Sequence, residues 1–167
     1  EELKYELDNC NKSNKWRGHS DTEILIESIN YWGLTNTLKK ITGMFAFALY
    51  DQKYQKLFLV RDRYGEKPIY WGFTGNHNKK VIIFGSDLKA VKAHPEFNNQ
   101  INRESLTLFL DYGYVPDPLS IYEDIWKLNP GHFLEINVLA ETNQSITSTE
   151  WWGIKNILDM NIHSPIE

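Results

Sequence analysis

The chain has 167 residues, 41% hydrophobic and 14% aromatic, which is enough to bury a core and too apolar for a disordered segment. A formal net charge of -4 leaves no broad basic field, so nucleic acid is not an expected partner. No apolar run approaches the roughly 20 residues that span a bilayer, no signal-peptide core appears, and the single cysteine, Cys10, excludes an intrachain disulfide and fits a reducing, cytoplasmic setting.

Glu1-Glu2-Leu3-Lys4-Tyr5-Glu6-Leu7 starts at helical period, with Leu3 and Leu7 on one face. Residues 9–18 are polar and read as a loop from which Trp16 folds back onto the core. Ser20 then stands at a helix N-cap with Glu23 three residues on, the reciprocal capping-box arrangement. Leu25, Ile29 and Trp32 follow at helical spacing up to Gly33, and a short helix over 34–41 leads to Gly43.

From Gly43 the period changes to two. Phe45, Phe47 and Leu49 alternate with Met44, Ala46, Ala48 and Tyr50, so both faces are apolar and the strand is expected to be covered on both sides. Residues 51–55 turn the chain into Leu57-Phe58-Leu59-Val60, a second doubly apolar strand. Further strands are predicted over 69–73 and 81–84, joined by a turn at Gly75-Asn76-His77-Asn78. Connections this short imply antiparallel pairing, because parallel crossovers need about a dozen residues. A brief helix over 87–91 and a capped one from Asn102 to Gly113 precede the stiff Val115-Pro116-Asp117-Pro118 connection. Pro130-Gly131 turns into a last strand, 132–137, and 137–150 reads as a surface loop. The class is α+β, with layered antiparallel sheets.

Both ends read as cuts in a longer protein: the chain opens inside an element without a Met and stops in a polar stretch after Trp151-Trp152.

The residues alone contain no complete catalytic constellation. Asp21 projects from a helix start, where it adds negative charge to the first turn; it is also a carboxylate able to bind the ammonium of an amino-acid ligand. Cys10 has no base, helix N-terminus or cationic pattern to activate it and reads as a small half-buried thiol. His19, His77, His94, His132 and His163 lack the spacing of zinc ligands, and no Walker A loop or G-x-G-x-x-G is present. Arg61-Asp62-Arg63 reads as a strand-end salt-bridge cluster before an anion site.

The order of these pieces resembles the glutaminase (class II glutamine amidotransferase) domain of glutamine-hydrolysing asparagine synthetases. The resemblance rests on Ser20-Asp21-Thr22-Glu23, residues 43–51, Arg61-Asp62-Arg63-Tyr64-Gly65-Glu66-Lys67-Pro68-Ile69-Tyr70, residues 84–90, Gly113-Tyr114-Val115-Pro116-Asp117-Pro118 and Lys127-Leu128-Asn129-Pro130-Gly131-His132-Phe133-Leu134. Phosphoribosyl and hexosamine amidotransferases share the Ser-Asp-Thr/Ser-Glu helix; the Gly-Tyr-Val-Pro and Pro-Gly-His segments favour the asparagine-synthetase branch.

The resemblance implies an N-terminal-nucleophile hydrolase-like fold, a four-layer αββα sandwich. It spans a domain over residues 1–137, followed by a linker over 138–167 towards an ATP-dependent synthetase domain. It further implies that an N-terminal Cys attacks the glutamine side-chain amide, that an Asn-Gly segment helps form the oxyanion hole, and that Asp21 holds the α-amino group of glutamine. The nucleophile, the substrate-binding Arg and the Asn-Gly-Glu segment of the family match positions upstream of Glu1, so no catalytic residue is assigned within 1–167. Implied partners are glutamine and the synthetase domain of the same polypeptide; a homodimer is compatible, and neither a membrane nor nucleic acid is expected. No cofactor is implied within this domain, and ATP and Mg are implied for the synthetase domain. Two rivals remain: a non-catalytic scaffold of this fold without the nucleophile, as in β-lactam synthetases, and the amidotransferase domain of an enzyme amidating a sugar or peptide.

Overall fold

The computed structural model describes residues 2–10, 16–76, 79–139 and 146–154. The chain divides into two compact units, Glu1–Gly43 and Met44–Glu167. The turn expected at His77-Asn78 and the tail from 155 onward lie outside the described residues.

The first unit is helical: α1 (Glu2–Cys10), α2 (Asp21–Trp32) and α3 (Leu34–Lys40). Leu7 and Leu38 are fully buried, as their apolar periodicity requires. Gly33 divides α2 from α3. At φ 79° it sits where side chains are disfavoured; its N–H donates to Ile29 O and its carbonyl accepts from Thr37. Leu25, Ile29 and Trp32 are half-buried, and the fully buried residue of α2 is Ser28, whose hydroxyl donates back to Ile24 O at 2.6 Å. Two expectations are corrected here. Trp16 folds onto α1, with its indole N–H donating to Asp8 at 2.7 Å and the Lys4 ammonium 5.1 Å from its ring. Cys10 is exposed, because α1 ends at that residue.

The second unit holds two antiparallel sheets. The first has the order β1-β2-β6-β7, from β1 (Ala46–Asp51), β2 (Lys56–Arg61), β6 (His132–Asn137) and β7 (Ile146–Glu150). The second has the order β4-β3-β5, from β4 (Lys79–Gly85), β3 (Tyr70–Asn76) and β5 (Ile125–Lys127). Leu59, Leu134 and Ile136 of the first sheet pack with Ile69 and Leu128, and Trp71 and Ile82 of the second sheet lie against this cluster, so the facing sheets share one core. Ile83 and Ile125 on the opposite face of the second sheet pack with Val91 of α4 (Leu88–Lys92). The structure is therefore α+β, with paired antiparallel sheets as anticipated.

The turn between β1 and β2 is held by Asp51, whose carboxylate accepts the N–H of Lys53 and Tyr54 at 2.9 and 3.0 Å. Gly72 marks where β3 and β5 approach closely: a Cβ there would lie 2.0 Å from Asp124 O, and Phe73 N donates to that same carbonyl at 3.0 Å.

Three strand expectations change. β1 starts at Ala46 at the sheet edge, with Ala48 and Tyr50 exposed on one face, whereas β2 buries Leu59 and Val60 on opposite faces. The stretch read as a surface loop over 137–150 contains β7, paired with β6 from His132↔Glu150 to Ile136↔Ile146. β5 is a three-residue strand that exists through its register with β3, Tyr70↔Lys127 to Gly72↔Ile125. Finally, α5 (Arg103–Tyr112) is capped as its sequence demands: Asn102 accepts Ser105 N–H at 3.0 Å, and Gly113 closes it in the left-handed conformation.

Candidate functional site

Asp21 occupies the first position of α2, the only candidate binding residue the sequence offered. Ser20, in extended conformation, caps the helix by accepting Thr22 N–H at 3.2 Å, while its carbonyl accepts Glu23 N at 3.1 Å. The capping box is not reciprocal. Glu23 reaches past Ser20 and accepts the N–H of Arg17 at 2.6 Å and of Gly18 at 2.9 Å, pinning the incoming chain to the helix start. Donation from Arg17, joined by that from Gly18 and by the Arg17 and Lys4 charges, holds the Glu23 carboxyl below its ordinary range.

With Ser20 and Glu23 engaged, Asp21 is left exposed, and no hydrogen bond or ion pair reaches its side chain among the described residues. The cap fixes the direction in which it leaves the helix. Such a carboxylate can receive an ammonium group without breaking an existing contact.

In the second unit, Arg61-Asp62-Arg63 proves structural, but by a different arrangement from a salt-bridge cluster. Arg61 is 6% exposed and pairs with Asp117 at 3.0 Å, not with its neighbour Asp62. Its guanidinium also donates to the carbonyls of Leu128 (2.5 Å), Gly65 (2.7 Å) and Lys67 (3.1 Å). Asp117 is shared with Lys127 at 3.2 Å, and the Lys127 ammonium also meets Val115 O. Four of the five N–H groups of Arg61 are thus engaged with acceptors of this chain, so it is no anion receptor.

Asp62 is fully buried, and its carboxylate receives four backbone N–H groups among the described residues: Tyr64 and Glu66 on one oxygen at 3.1 and 2.9 Å, Phe45 and Lys67 on the other at 3.3 and 2.9 Å. Burial pushes its pKa up, but the donations from Lys67, Glu66, Phe45 and Gly65 outweigh burial and hold it below the ordinary carboxylate value. Its carbonyl also accepts Gly131 N at 2.8 Å, and Gly131 O in turn accepts both Trp151 N and Trp152 N. The Trp151 ring stacks 6.1 Å from Phe45 and lies 5.9 Å from the Arg63 guanidinium; Trp152 meets Tyr64 edge-on at 5.0 Å. The sequence reading missed this knot because only Gly131 and Asp62 signal it, and neither names its partner.

An apolar cleft of about 420 Å³ opens between the sheets, lined by Trp71, Phe73, Pro118, Trp126, Leu134 and Ile146 among others. Its polar lining is Lys127, Asn129 and Ser148, with no carboxylate among the lining residues. Cys10 and the described histidines, His19, His94 and His132, form no metal-binding group, and no set of three or more His, Cys, Asp or Glu side chains suited to a metal ion occurs among the described residues. No helix among them is long and apolar enough to cross a membrane.

A sequence profile described as a glutamine amidotransferase domain matches residues 1–152. Asparagine synthetase [glutamine-hydrolyzing] 3 of Bacillus subtilis (strain 168) is 33% identical over 158 residues, covering 91% of this chain and 24% of that protein. Asparagine synthetase [glutamine-hydrolyzing] 2 of the same organism is 32% identical over 162 residues, 94% of this chain and 20% of its own length. Amidase chry2 of Gibberella zeae is 29% identical over 144 residues, 84% of this chain and 19% of that protein. The chain therefore spans only about a fifth to a quarter of the length of these relatives.

Proposed function

The chain belongs to the glutamine amidotransferase domain family, and on that premise we propose that it is the glutaminase part of an asparagine-synthetase-like enzyme. The parent polypeptide hydrolyses glutamine to glutamate and passes the ammonia to an ATP-activated acceptor, aspartate on this reading. Asp21 receives the α-ammonium of glutamine. The nucleophilic Cys comes from the segment upstream of Glu1; its thiolate attacks the glutamine Cδ, ammonia leaves, and water resolves the thioester to glutamate. The glutaminase domain reaches past the expected boundary at 137 to include β7, which pairs with β6, as the family match to residue 152 supports; the chain beyond leads towards the synthetase portion, which holds ATP and magnesium. The parent is placed in the cytoplasm, in keeping with its lone free thiol in this stretch.

The observation that carries this reading is the family match over nearly the whole chain, joined to an exposed, uncommitted Asp21 on a capped helix start. The test is glutamate release from glutamine by the full-length parent. A folded parent with an upstream Cys that releases none would refute the glutaminase assignment. A second reading, in which the acceptor is a sugar or peptide and not aspartate, goes with the shared amidotransferase family, one relative of which is named an amidase. Product analysis with aspartate as the sole acceptor separates the two.

A further inference from the structure

We infer that Glu23 is a positioning residue for glutamine binding: its carboxylate takes up the backbone N–H groups of Arg17 and Gly18 and thereby keeps the Asp21 carboxylate open to the α-ammonium of the substrate. The inference rests on the reading proposed above, in which Asp21 receives that ammonium.

The contacts of Glu23 are not those a helix cap requires. A glutamate three positions after the N-cap stabilises its helix by returning to the N–H of the N-cap residue. Here the helix start is already closed by Ser20. Its hydroxyl accepts Thr22 N–H at 3.2 Å, and its carbonyl accepts Glu23 N and Ile24 N at 3.1 and 3.3 Å. Glu23 commits its two oxygens outside the helix instead, Oε1 to Arg17 N and Oε2 to Gly18 N. These bonds reach back six and five residues and close 17–23 into a loop. Asp21 stands inside that loop, exposed.

What the clamp withholds from Asp21 gives it a consequence for binding. Two adjacent backbone N–H groups need acceptors, and a short carboxylate in a turn readily supplies one. Within 17–23 the carboxylates are Asp21 and Glu23 alone, so without Glu23 both donors are left with Asp21 as the remaining charged acceptor in the loop. A carboxylate engaged in that way meets an ammonium only by giving up a charge-assisted hydrogen bond. Charge works in the same direction. The hydrogen bond from Arg17 leads the causes that hold the Glu23 carboxyl below its ordinary range, and the Arg17 and Lys4 charges add to it, so these cations are balanced at Glu23 and not at Asp21. The clamp also fixes the chain entering the helix, so less conformational freedom is lost when a ligand is bound there.

The experiment measures glutamine hydrolysis by the full-length parent carrying Glu23→Gln, Asp21→Asn or both. Gln keeps one acceptor oxygen and loses the other. Glu23→Gln should raise KM for glutamine roughly fivefold, the worth of about one hydrogen bond, with kcat unchanged. The double variant should have the KM of Asp21→Asn alone, because a residue that acts through Asp21 then has nothing left to act on. Additive effects, the signature of the Glu23 charge acting on the substrate by itself, overturn the inference. So do an unchanged KM, a lowered kcat, or a Glu23→Gln chain that does not fold, which assigns Glu23 to the fold alone. Hydrogen exchange on the unsubstituted parent needs no variant: the Arg17 and Gly18 amides should exchange about tenfold more slowly than free amides, and free-amide rates overturn the clamp. The underlying reading fails separately. Unaltered KM in Asp21→Asn ends that reading and this inference with it, whereas a raised KM there beside an unaltered one in Glu23→Gln ends this inference alone.

Discussion

Arg61 and Asp117, 56 residues apart in sequence, meet at 3.0 Å, and that contact ties the end of β2 to the connection leading into β5. One planar guanidinium serves Asp117 and three carbonyls at once, which an ammonium on a flexible stem cannot do.

Arg61→Lys should therefore destabilise the chain by about 3 kcal/mol, within the range for breaking a buried pair. A urea midpoint shift with an unchanged slope is the expected readout. A change within about 0.5 kcal/mol, the usual size for a surface substitution, would show that the network does not matter to folding.

Asp62→Asn keeps the shape and replaces one carboxylate oxygen by an amide NH2. Two of the four backbone donors then face another donor, at a cost of about 3–4 kcal/mol if each unsatisfied group costs 1–3. The pH dependence has a definite sign. The folded-state pKa of Asp62 is depressed, so its stabilisation is fully present above the unfolded value and is lost as pH falls through the folded one. Stability should rise with pH across the acid range just below the ordinary carboxylate value, and the Asn variant should flatten that part of the curve. An identical acid profile in both proteins would remove Asp62 as its source.

Gly65 and Gly113 allow a paired test of strain against collision. Both have positive φ, 68° and 77°. A Cβ at Gly65 would lie 2.8 Å from the Arg61 guanidinium and from Pro130, while one at Gly113 meets nothing within 4 Å. Gly113→Ala should cost about 1 kcal/mol from backbone conformation alone. Gly65→Ala should cost at least about 1 kcal/mol more, through displacement of a buried ion pair. Thermal melts of the two variants in parallel decide this, and equal losses would contradict it.

Asp21→Asn in the full-length parent should raise KM for glutamine by roughly tenfold or more, the loss expected for a charge-assisted hydrogen bond, with kcat much less affected. Its stability should fall by no more than about 0.3–1 kcal/mol, the worth of a first-turn charge, because no hydrogen bond or ion pair reaches the Asp21 side chain among the described residues. Ser20→Ala should cost about 1 kcal/mol through the lost cap. Unaltered glutamine kinetics in Asp21→Asn would end its assignment as a ligand.

Much of this was legible in the sequence where one local signal sufficed. Ser20 fixed the start of α2, Asn102 and Gly113 bounded α5, and the doubly apolar Leu57-Phe58-Leu59-Val60 marked the covered strand β2. Reading failed where partners decide. Ile146-Thr147-Ser148-Thr149-Glu150 carries no apolar period because it is an edge strand with mostly exposed side chains, and its identity comes from β6. Ile125-Trp126-Lys127 is too short for any period. Glu23 had the right spacing for a capping box, but the turn at Arg17-Gly18 offered two donors where Ser20 offered one. For the binding residue, the local pattern showed only a carboxylate at a helix start; its meaning came from the family.

Asp62 also bears on how freely the loop after β2 can vary. The turn from Arg63 to Lys67 is wrapped around a carboxylate that grips main-chain atoms alone, so its path is dictated by position 62 and by the glycine at 65, whatever side chains lie between. Glu66 is exposed and released from shaping the loop, and Tyr64, though largely exposed, meets only the Trp152 ring among the described aromatic contacts. Natural or designed variation can therefore redecorate this rim, changing what it touches, without redrawing its course.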